Sequence, residues 1–166
     1  MLLVGLIAAE AGFFARGFLG EDRPRSVREV FAAGMPRGGT SPTMYALLVL
    51  GEDDCRGVIT ALELLDAQSY AHSGLRRTVW VQGSNEALMR TVAAVKNLGL
   101  DAFVRRVGPS ELQAVGVAPG PHIGRLLLLN RQLRPIFLSM TPASPAEYAT
   151  LVRFTGDLID KEFSRP

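Results

Sequence analysis

The chain has 166 residues, of which 48% are apolar and 20% are charged, and it contains one cysteine. A chain of this length can bury a core without disulfides or structural metals, and one cysteine excludes a disulfide within the chain. The formal charge of +2 is too small to identify a nucleic-acid-binding protein by itself.

The N-terminal 43 residues are predicted to form an extension that precedes the main sheet. Residues 2–8 are an apolar run typical of a buried strand, and the alanine-rich stretch 9–19 favours a helix. Ser26, with Glu29 three residues later, is a capping-box pattern that indicates the start of a second, short helix. The prediction for residues 1–43 is therefore one strand followed by two helices.

The same N-terminal run falls short of what an export signal or a membrane span requires. No basic residue precedes it, and Glu10 and Arg16 interrupt it before about 20 apolar residues accumulate. We therefore expect a cytoplasmic protein without a membrane partner, in which the lone thiol stays reduced.

From residue 44 onward the sequence alternates between strand and helix patterns. Residues 44–50 (MYALLVL) are almost wholly apolar, as expected of a central parallel strand that is covered on both faces. Strand patterns recur at residues 78–82 and 102–107. A helix pattern lies between each pair of successive strands, and the second helix begins after Ser84. Two helical crossovers of this length predict a right-handed βαβαβ unit.

The last third of the chain carries a different pattern. Residues 125–129 and 136–140 are apolar runs separated by a few polar residues, which favours an antiparallel hairpin. Ser144 followed by Pro145 then opens an amphipathic helix that is predicted over residues 144–163.

The predicted fold is a single α/β domain over residues 1–166. Its core, residues 44–140, is a mostly parallel sheet with helices on both faces, an antiparallel C-terminal hairpin and a terminal helix packed across the sheet. The alternative is an α+β ferredoxin-like sandwich, in which the strands of the core would pair in antiparallel fashion.

The segment GEDDC follows the predicted central strand, at the sheet edge where open α/β sheets bind ligands. Its three adjacent acids are suited to hold Mg²⁺ or to act as a general base, and Asp53 and Asp54 are the two predicted to be catalytic. Cys55 precedes a predicted helix, and a helix N-terminus stabilises a thiolate. The alternative is that one of the two aspartates is only the cap of that helix.

His122 lies in the Gly/Pro-rich loop GVAPGPHIG, between the third strand and the hairpin. An imidazole there is able to carry a proton or to bind a phosphate. Together with Asp53, Asp54 and Cys55 it makes the predicted catalytic set, provided that the fold brings the two segments together. A structural or solvated histidine is the alternative. No Cys/His spacing indicates a metal site, and the sequence identifies no cofactor.

A second group of residues is predicted to bind an anionic ligand. The loop PRGGTSP offers backbone amides together with Arg37 and Thr40, although the order of elements also fits an ordinary surface loop. Between residues 105 and 134 five arginines accompany one acid, which favours RNA or another phosphate-containing partner. Arginine bias is also what a GC-rich genome produces. These arginines are Arg105, Arg106, Arg125, Arg131 and Arg134.

The segment from residue 44 to about residue 140 resembles the type 2 peptidyl-tRNA hydrolases. The resemblance lies in the order of MYALLVL, AQSYAHSG, RRTVWVQGS, NEALMRTVAAVKNLGL and AFVRRVGPSELQAV, and in the helix-to-strand turn LGLDAFVRR. It covers over half of the chain and implies the α/β fold of that family. The family's catalytic residues are not matched, because Arg56 and Gly57 replace its lysine-rich helix start and Arg106 replaces its aspartate.

The sequence leaves three functions open. The main prediction is a non-enzymatic binding or assembly module, either homo-oligomeric or bound to a protein partner, because the chain is unusually apolar and lacks a diagnostic catalytic motif. The second is binding of RNA or a phosphate-containing ligand through the five arginines. The third is a hydrolase or transferase with its site at the C-terminal edge of the sheet.

Overall fold

The computed structural model describes residues 44–54, 58–67 and 74–164. The predicted strand and helices of residues 1–43 lie outside the described residues, and so do Arg37, Thr40 and Cys55. The predictions made for these residues therefore remain predictions.

The described residues form five strands and four helices. In chain order the elements are β1 (Met44–Leu50), α1 (Val58–Ala67), β2 (Leu75–Val81), α2 (Asn85–Asn97), β3 (Phe103–Arg106), α3 (Pro109–Ala114), β4 (Arg125–Asn130), β5 (Pro135–Met140) and α4 (Pro145–Phe163).

The five strands make one sheet in the order β3-β2-β1-β4-β5, so the prediction that residues 44–50 form the central strand is confirmed. Strand β1 is parallel to β2, and β2 is parallel to β3, which contradicts the ferredoxin-like alternative. The prediction of a mostly parallel sheet is wrong, because β4 runs antiparallel both to β1 and to β5. The predicted hairpin exists, but its first strand pairs with the central strand, and the sheet is therefore mixed.

Alternating side chains of β1 serve two separate cores, one on each face of the sheet. Met44, Ala46, Leu48 and Leu50 pack with buried residues of α1, α2 and α4. Tyr45, Leu47 and Val49 pack on the opposite face, in the cluster that contains Trp80 and Leu112 of α3. The burial of all seven residues of β1 explains why its sequence is a continuous apolar run.

Local signals in the sequence set the ends of the helices. The Ser84 side chain accepts a hydrogen bond from the backbone N–H of Ala87 and caps α2. Gly99 follows α2 with φ +64°, a left-handed conformation that favours glycine. The Ser144 side chain caps α4 by accepting from the N–H of Glu147, and Pro145 is the first helical residue, as predicted.

The chain direction places three loops at one edge of the sheet. Residues 51–54 follow β1, residues 82–84 follow β2, and residues 115–124 lead into β4. Because β4 is antiparallel to β1, with Val49 opposite Arg125, the start of β4 lies beside the end of β1. This is the carboxyl edge of the parallel strands, where open α/β sheets bind ligands.

Candidate functional site

The candidate site is the group of three loops at the carboxyl edge of the sheet. The backbone N–H of Asp53 donates to the carbonyl oxygen of Pro121 at 2.9 Å, which joins the loop after β1 to the loop before β4. The N–H of Gly120 donates to Oε1 of Gln82 at 3.0 Å, which joins the loop after β2 to the same segment. The loops therefore form one connected surface.

Asp54 links two of these loops through one carboxylate oxygen. Its Oδ2 accepts from the backbone N–H groups of Gly51 at 2.6 Å, Ile123 at 2.9 Å and Gly124 at 2.8 Å. The segment that leads to Cys55 is therefore fastened to the segment that contains His122.

Glu52 links the loop after β1 to the beginning of α2. Its carboxylate accepts from the Ser84 hydroxyl at 2.7 Å and from the Ser84 backbone N–H. These hydrogen bonds favour the ionised form, so the pKa of Glu52 lies below its ordinary value. Gly83 leaves room for this contact, because a Cβ there would meet Oε2 of Glu52.

The lowered pKa of Glu52 makes the link between Glu52 and Ser84 sensitive to acid. A carboxyl whose folded pKa is depressed stabilises the fold fully above its unfolded pKa, about 4.3, and this contribution is lost as the pH falls through the folded pKa. We expect the difference in urea midpoint between the wild type and Glu52→Gln to be largest near neutral pH and to shrink in acid. A difference that is constant down to the acid end of the titration would contradict this assignment.

The structure brings together the backbones of the predicted catalytic segments. His122 lies between Pro121 and Ile123, which are bonded to Asp53 and Asp54 respectively. The His122 and Asp53 side chains are exposed, and Cys55 directly follows Asp54 in the sequence. The catalytic roles assigned to these residues remain predictions.

Sequence reasoning did not predict how three residues join the loops of the site, although two of them, Gly51 and Glu52, lie in the segment GEDDC. Glu52 and Gln82 hold the neighbouring loops, and Gly51 lies against the backbone of Pro121. A glycine or a polar residue immediately after a buried strand was the available signal. The partners lie 32 and 38 residues away for Glu52 and Gln82, and no local pattern indicates them.

The five arginines of the predicted anionic site do not form one patch. Arg105 pairs with Glu111 at 2.8 Å and lies over the Trp80 ring at 4.7 Å. Arg106 donates to the side chain of Asn85, and Arg125 donates to the carbonyl oxygen of Ile123. Arg131 and Arg134 follow β4, at the opposite edge of the sheet.

Two further findings concern the described residues only. None of the helices in residues 44–54, 58–67 and 74–164 combines the length and the apolarity that crossing a bilayer requires. Within the same residues, no cluster of three or more His, Cys, Asp or Glu side chains is arranged to hold a metal ion.

The fold is thioredoxin-like. A thioredoxin-like protein from Aeropyrum pernix superposes with a TM-score of 0.53 at 12% identity, covering 89% of this chain and 99% of that one. A protein of Aquifex aeolicus provisionally described as an electron transfer protein gives 0.50 at 12% identity, covering 68% and 81%. A protein of Bacteroides thetaiotaomicron provisionally described as a protein disulfide isomerase gives 0.50 at 13% identity, covering 71% and 74%. No protein-family model and no curated protein matches the sequence.

These comparisons correct several predictions. The resemblance to the type 2 peptidyl-tRNA hydrolases is wrong, because the structural neighbours are thioredoxin-like. It rested on the order of strands and helices, which is shared by many βαβ folds. The non-enzymatic assembly module is also contradicted, and the expectations of an oligomer and of RNA binding are unsupported. The separation of the five arginines in the fold gives a physical reason why the prediction of RNA binding is unsupported.

Proposed function

We propose that the protein carries out thiol–disulfide exchange through its single cysteine, Cys55. The observation that carries the proposal is the place of Cys55 in the chain, directly after Asp54 at the carboxyl end of the central strand of a thioredoxin-like sheet. Two of the neighbours that share the fold are provisionally described in terms of electron transfer and disulfide isomerisation. Ligands of α/β sheets bind at this edge.

A single cysteine determines the kind of exchange that the protein performs. The Cys55 thiolate attacks one sulfur of a partner disulfide, a new S–S bond forms between Cys55 and that sulfur, and the other partner sulfur leaves as a thiolate. The chain has no second cysteine to resolve this mixed disulfide. A second thiol molecule, such as glutathione, attacks the partner's sulfur and releases Cys55 as a thiolate, so the electrons balance across two partners.

Residues near Cys55 in the sequence, and the loop bonded to Asp54, support the proposed reactivity of this thiol. Cys55 precedes the first residue of α1, Val58, by three positions, and the N-terminus of a helix stabilises a thiolate. In this proposal His122, exposed on the adjoining loop, accepts the thiol proton when the thiolate forms and returns it when the thiol is restored. The hydrogen bonds of Asp54 join that loop to the residue that precedes Cys55 in the sequence.

The proposal predicts that folding activates Cys55. We expect the intact chain to react with oxidised glutathione at neutral pH about tenfold faster than the same chain unfolded in urea, because a thiolate that the fold stabilises is more abundant. Mass spectrometry at timed intervals measures both rate constants on the same thiol.

The control for this experiment is Cys55→Ser, which must neither gain the glutathionyl mass nor accelerate reduction of a mixed-disulfide substrate by glutathione. A folded chain that reacts no faster than the unfolded chain contradicts the proposal, because the fold then does not activate the thiol.

A further inference from the structure

Strand β5 forms one edge of the sheet, and among the described residues no strand pairs with its outer side. The backbone N–H of Thr141 donates to the carbonyl oxygen of Gly124 at 2.8 Å, on the β4 side. Backbone groups alternate in direction along an antiparallel pair, so the N–H and C=O groups of Leu138 and Met140 point away from β4. The Met140 carbonyl oxygen accepts from the Ser139 hydroxyl at 3.0 Å and retains a second acceptor site. This edge can therefore pair with a further strand.

The sequence of β5 lacks the features by which edge strands commonly avoid further pairing. Residues 135–140 (PIFLSM) contain no charged side chain. The one proline, Pro135, is the first residue of the strand, and the irregularity in register lies next to it, between Leu128 and Leu129. Native proteins protect exposed edges with charges, prolines and bulges, and residues 137–140 carry none of the three. This part of the edge is thus suited to accept an extended segment.

Apolar side chains are exposed on both faces of this edge. Leu138, 51% exposed, lies on the face opposite to α4, because it shares that face with Leu127. On the other face, a groove of about 560 Å³ between β5 and α4 is lined by Phe137 and Phe154, among others. Their rings lie 5.5 Å apart, and Phe154 is 53% exposed. A strand added to β5 therefore contacts apolar side chains on both of its own faces.

The two ends of the edge carry opposite charges. Arg131 and Arg134 are exposed in the turn before β5. Glu147 lines the groove beyond the other end of β5, where its carboxylate accepts from the N–H of Ala143 at 2.8 Å. A segment that is complementary to this pattern has a basic residue at the end near Glu147 and an acidic residue at the end near the two arginines.

We propose that the outer side of β5 binds an extended polypeptide segment, which adds to the sheet as a further strand antiparallel to β5. The segment is apolar at its centre, with a basic residue before the apolar run and an acidic residue after it. Antiparallel pairing is slightly more stable than parallel pairing, and it places the beginning of the segment near Glu147. Main-chain hydrogen bonds supply the affinity, and side chains on both faces supply the selectivity. This docking surface goes beyond the proposed thiol chemistry and does not depend on it.

The test uses the full chain and the peptide Lys-Thr-Val-Phe-Val-Thr-Glu, blocked at both termini and labelled for fluorescence anisotropy. Leu138→Pro removes an N–H that points away from β4, and Leu138→Ala keeps it. We expect Leu138→Pro to bind the peptide about tenfold more weakly than Leu138→Ala, because a main-chain hydrogen bond is lost. Similar urea midpoints for the two variants show that the comparison is between folded chains.

A second pair of variants tests the same edge without proline. Met140→Lys places a charge on β5 and should weaken binding of the peptide about fivefold, because a lysine on an edge strand opposes further pairing. Met89→Lys is the matched control, since Met89 lies on α2 and has the same 64% exposure as Met140. It should bind the peptide as the wild type does.

Two further measurements identify the mode of binding. Hydrogen exchange at the amides of Leu138 and Met140 should slow when the peptide binds, whereas exchange at Thr141, already bonded to Gly124, should change little. A peptide in which lysine and glutamate are interchanged should bind about threefold more weakly at low salt, and added salt should remove this difference.

Four outcomes overturn the proposal. The first is that the wild type does not bind the peptide, and the second is that the two Leu138 variants bind it equally. The third is that the amides of Leu138 and Met140 are already protected in the free monomer, because another part of the chain then covers the edge. The fourth is a dimer that Leu138→Pro dissociates in sedimentation experiments, because a second copy is then the occupant. The peptide contains no sulfur, so these outcomes leave the function proposed for Cys55 untouched, and failure of thiol exchange leaves the docking surface untouched.

Discussion

Replacing Gly51 with alanine is expected to destabilise the protein by about 3 kcal/mol, the upper range for overpacking a well-packed site. A Cβ at Gly51 would lie 2.6 Å from the carbonyl carbon of Pro121, and closer still to its oxygen. These are backbone atoms, which cannot rotate away as the end of a flexible side chain does. The loop before β4 would have to move, and this movement would disrupt the hydrogen bond from the N–H of Asp53 to the carbonyl oxygen of Pro121.

Urea unfolding of Gly51→Ala beside Gly120→Ala measures this effect. Gly120 lies in the same group of loops, yet nothing lies within 4 Å of a Cβ placed there, so its replacement should change stability by less than about 0.5 kcal/mol. Equal midpoints for the two variants would show that the loops after β1 and before β4 are not in close contact.

Those elements of the fold that depend on neighbouring residues were predictable from the sequence. The apolar run of β1, the caps at Ser84 and Ser144 and the glycine after α2 are signals that act within a few residues. The spacing between the last two strands likewise predicted the hairpin. Each of these features follows from backbone hydrogen bonding or side-chain periodicity within a single element.

The pairing of distant elements was not predictable in the same way. The sequence of residues 125–130 does not indicate whether β4 pairs with β1 or with β3. The antiparallel pairing of β4 with β1 is what makes the sheet mixed. The arginines from Arg105 to Arg134 are close in sequence, but the run of β4 carries Arg131 and Arg134 away from the other three. The count of arginines along the sequence therefore predicted a single charged patch that the fold does not contain.

The candidate site shows the same division. Asp54 was predicted as a site residue because it follows the central strand. His122 was predicted because it lies in a Gly/Pro-rich loop. The link between the two segments depends on hydrogen bonds across 69 and 70 residues, which only the fold reveals. The partner of Glu52 could not be named for the same reason, because Ser84 follows a different strand.

The second large effect on stability is expected at one of two leucines that lie opposite each other on β4 and β5. Leu127 and Leu138 are directly opposite in the register, so their side chains lie on the same face of the sheet. Leu127 is fully buried in the cluster around Trp80, whereas Leu138, on the outermost strand, is 51% exposed. The two positions share residue type and sheet face, and they differ in burial.

Truncation of these two leucines should therefore have very different costs. We expect Leu127→Ala to lower the free energy of unfolding by about 3 kcal/mol, because it removes buried methyl groups and leaves a cavity under β1 and β4. Leu138→Ala should cost less than about 1 kcal/mol, since half of its side chain already contacts solvent. Urea unfolding followed by Trp80 fluorescence suits both variants, because Trp80 lies in the same core cluster as Leu127. Similar losses at the two positions would mean that Leu138 is covered on the face that it shares with Leu127.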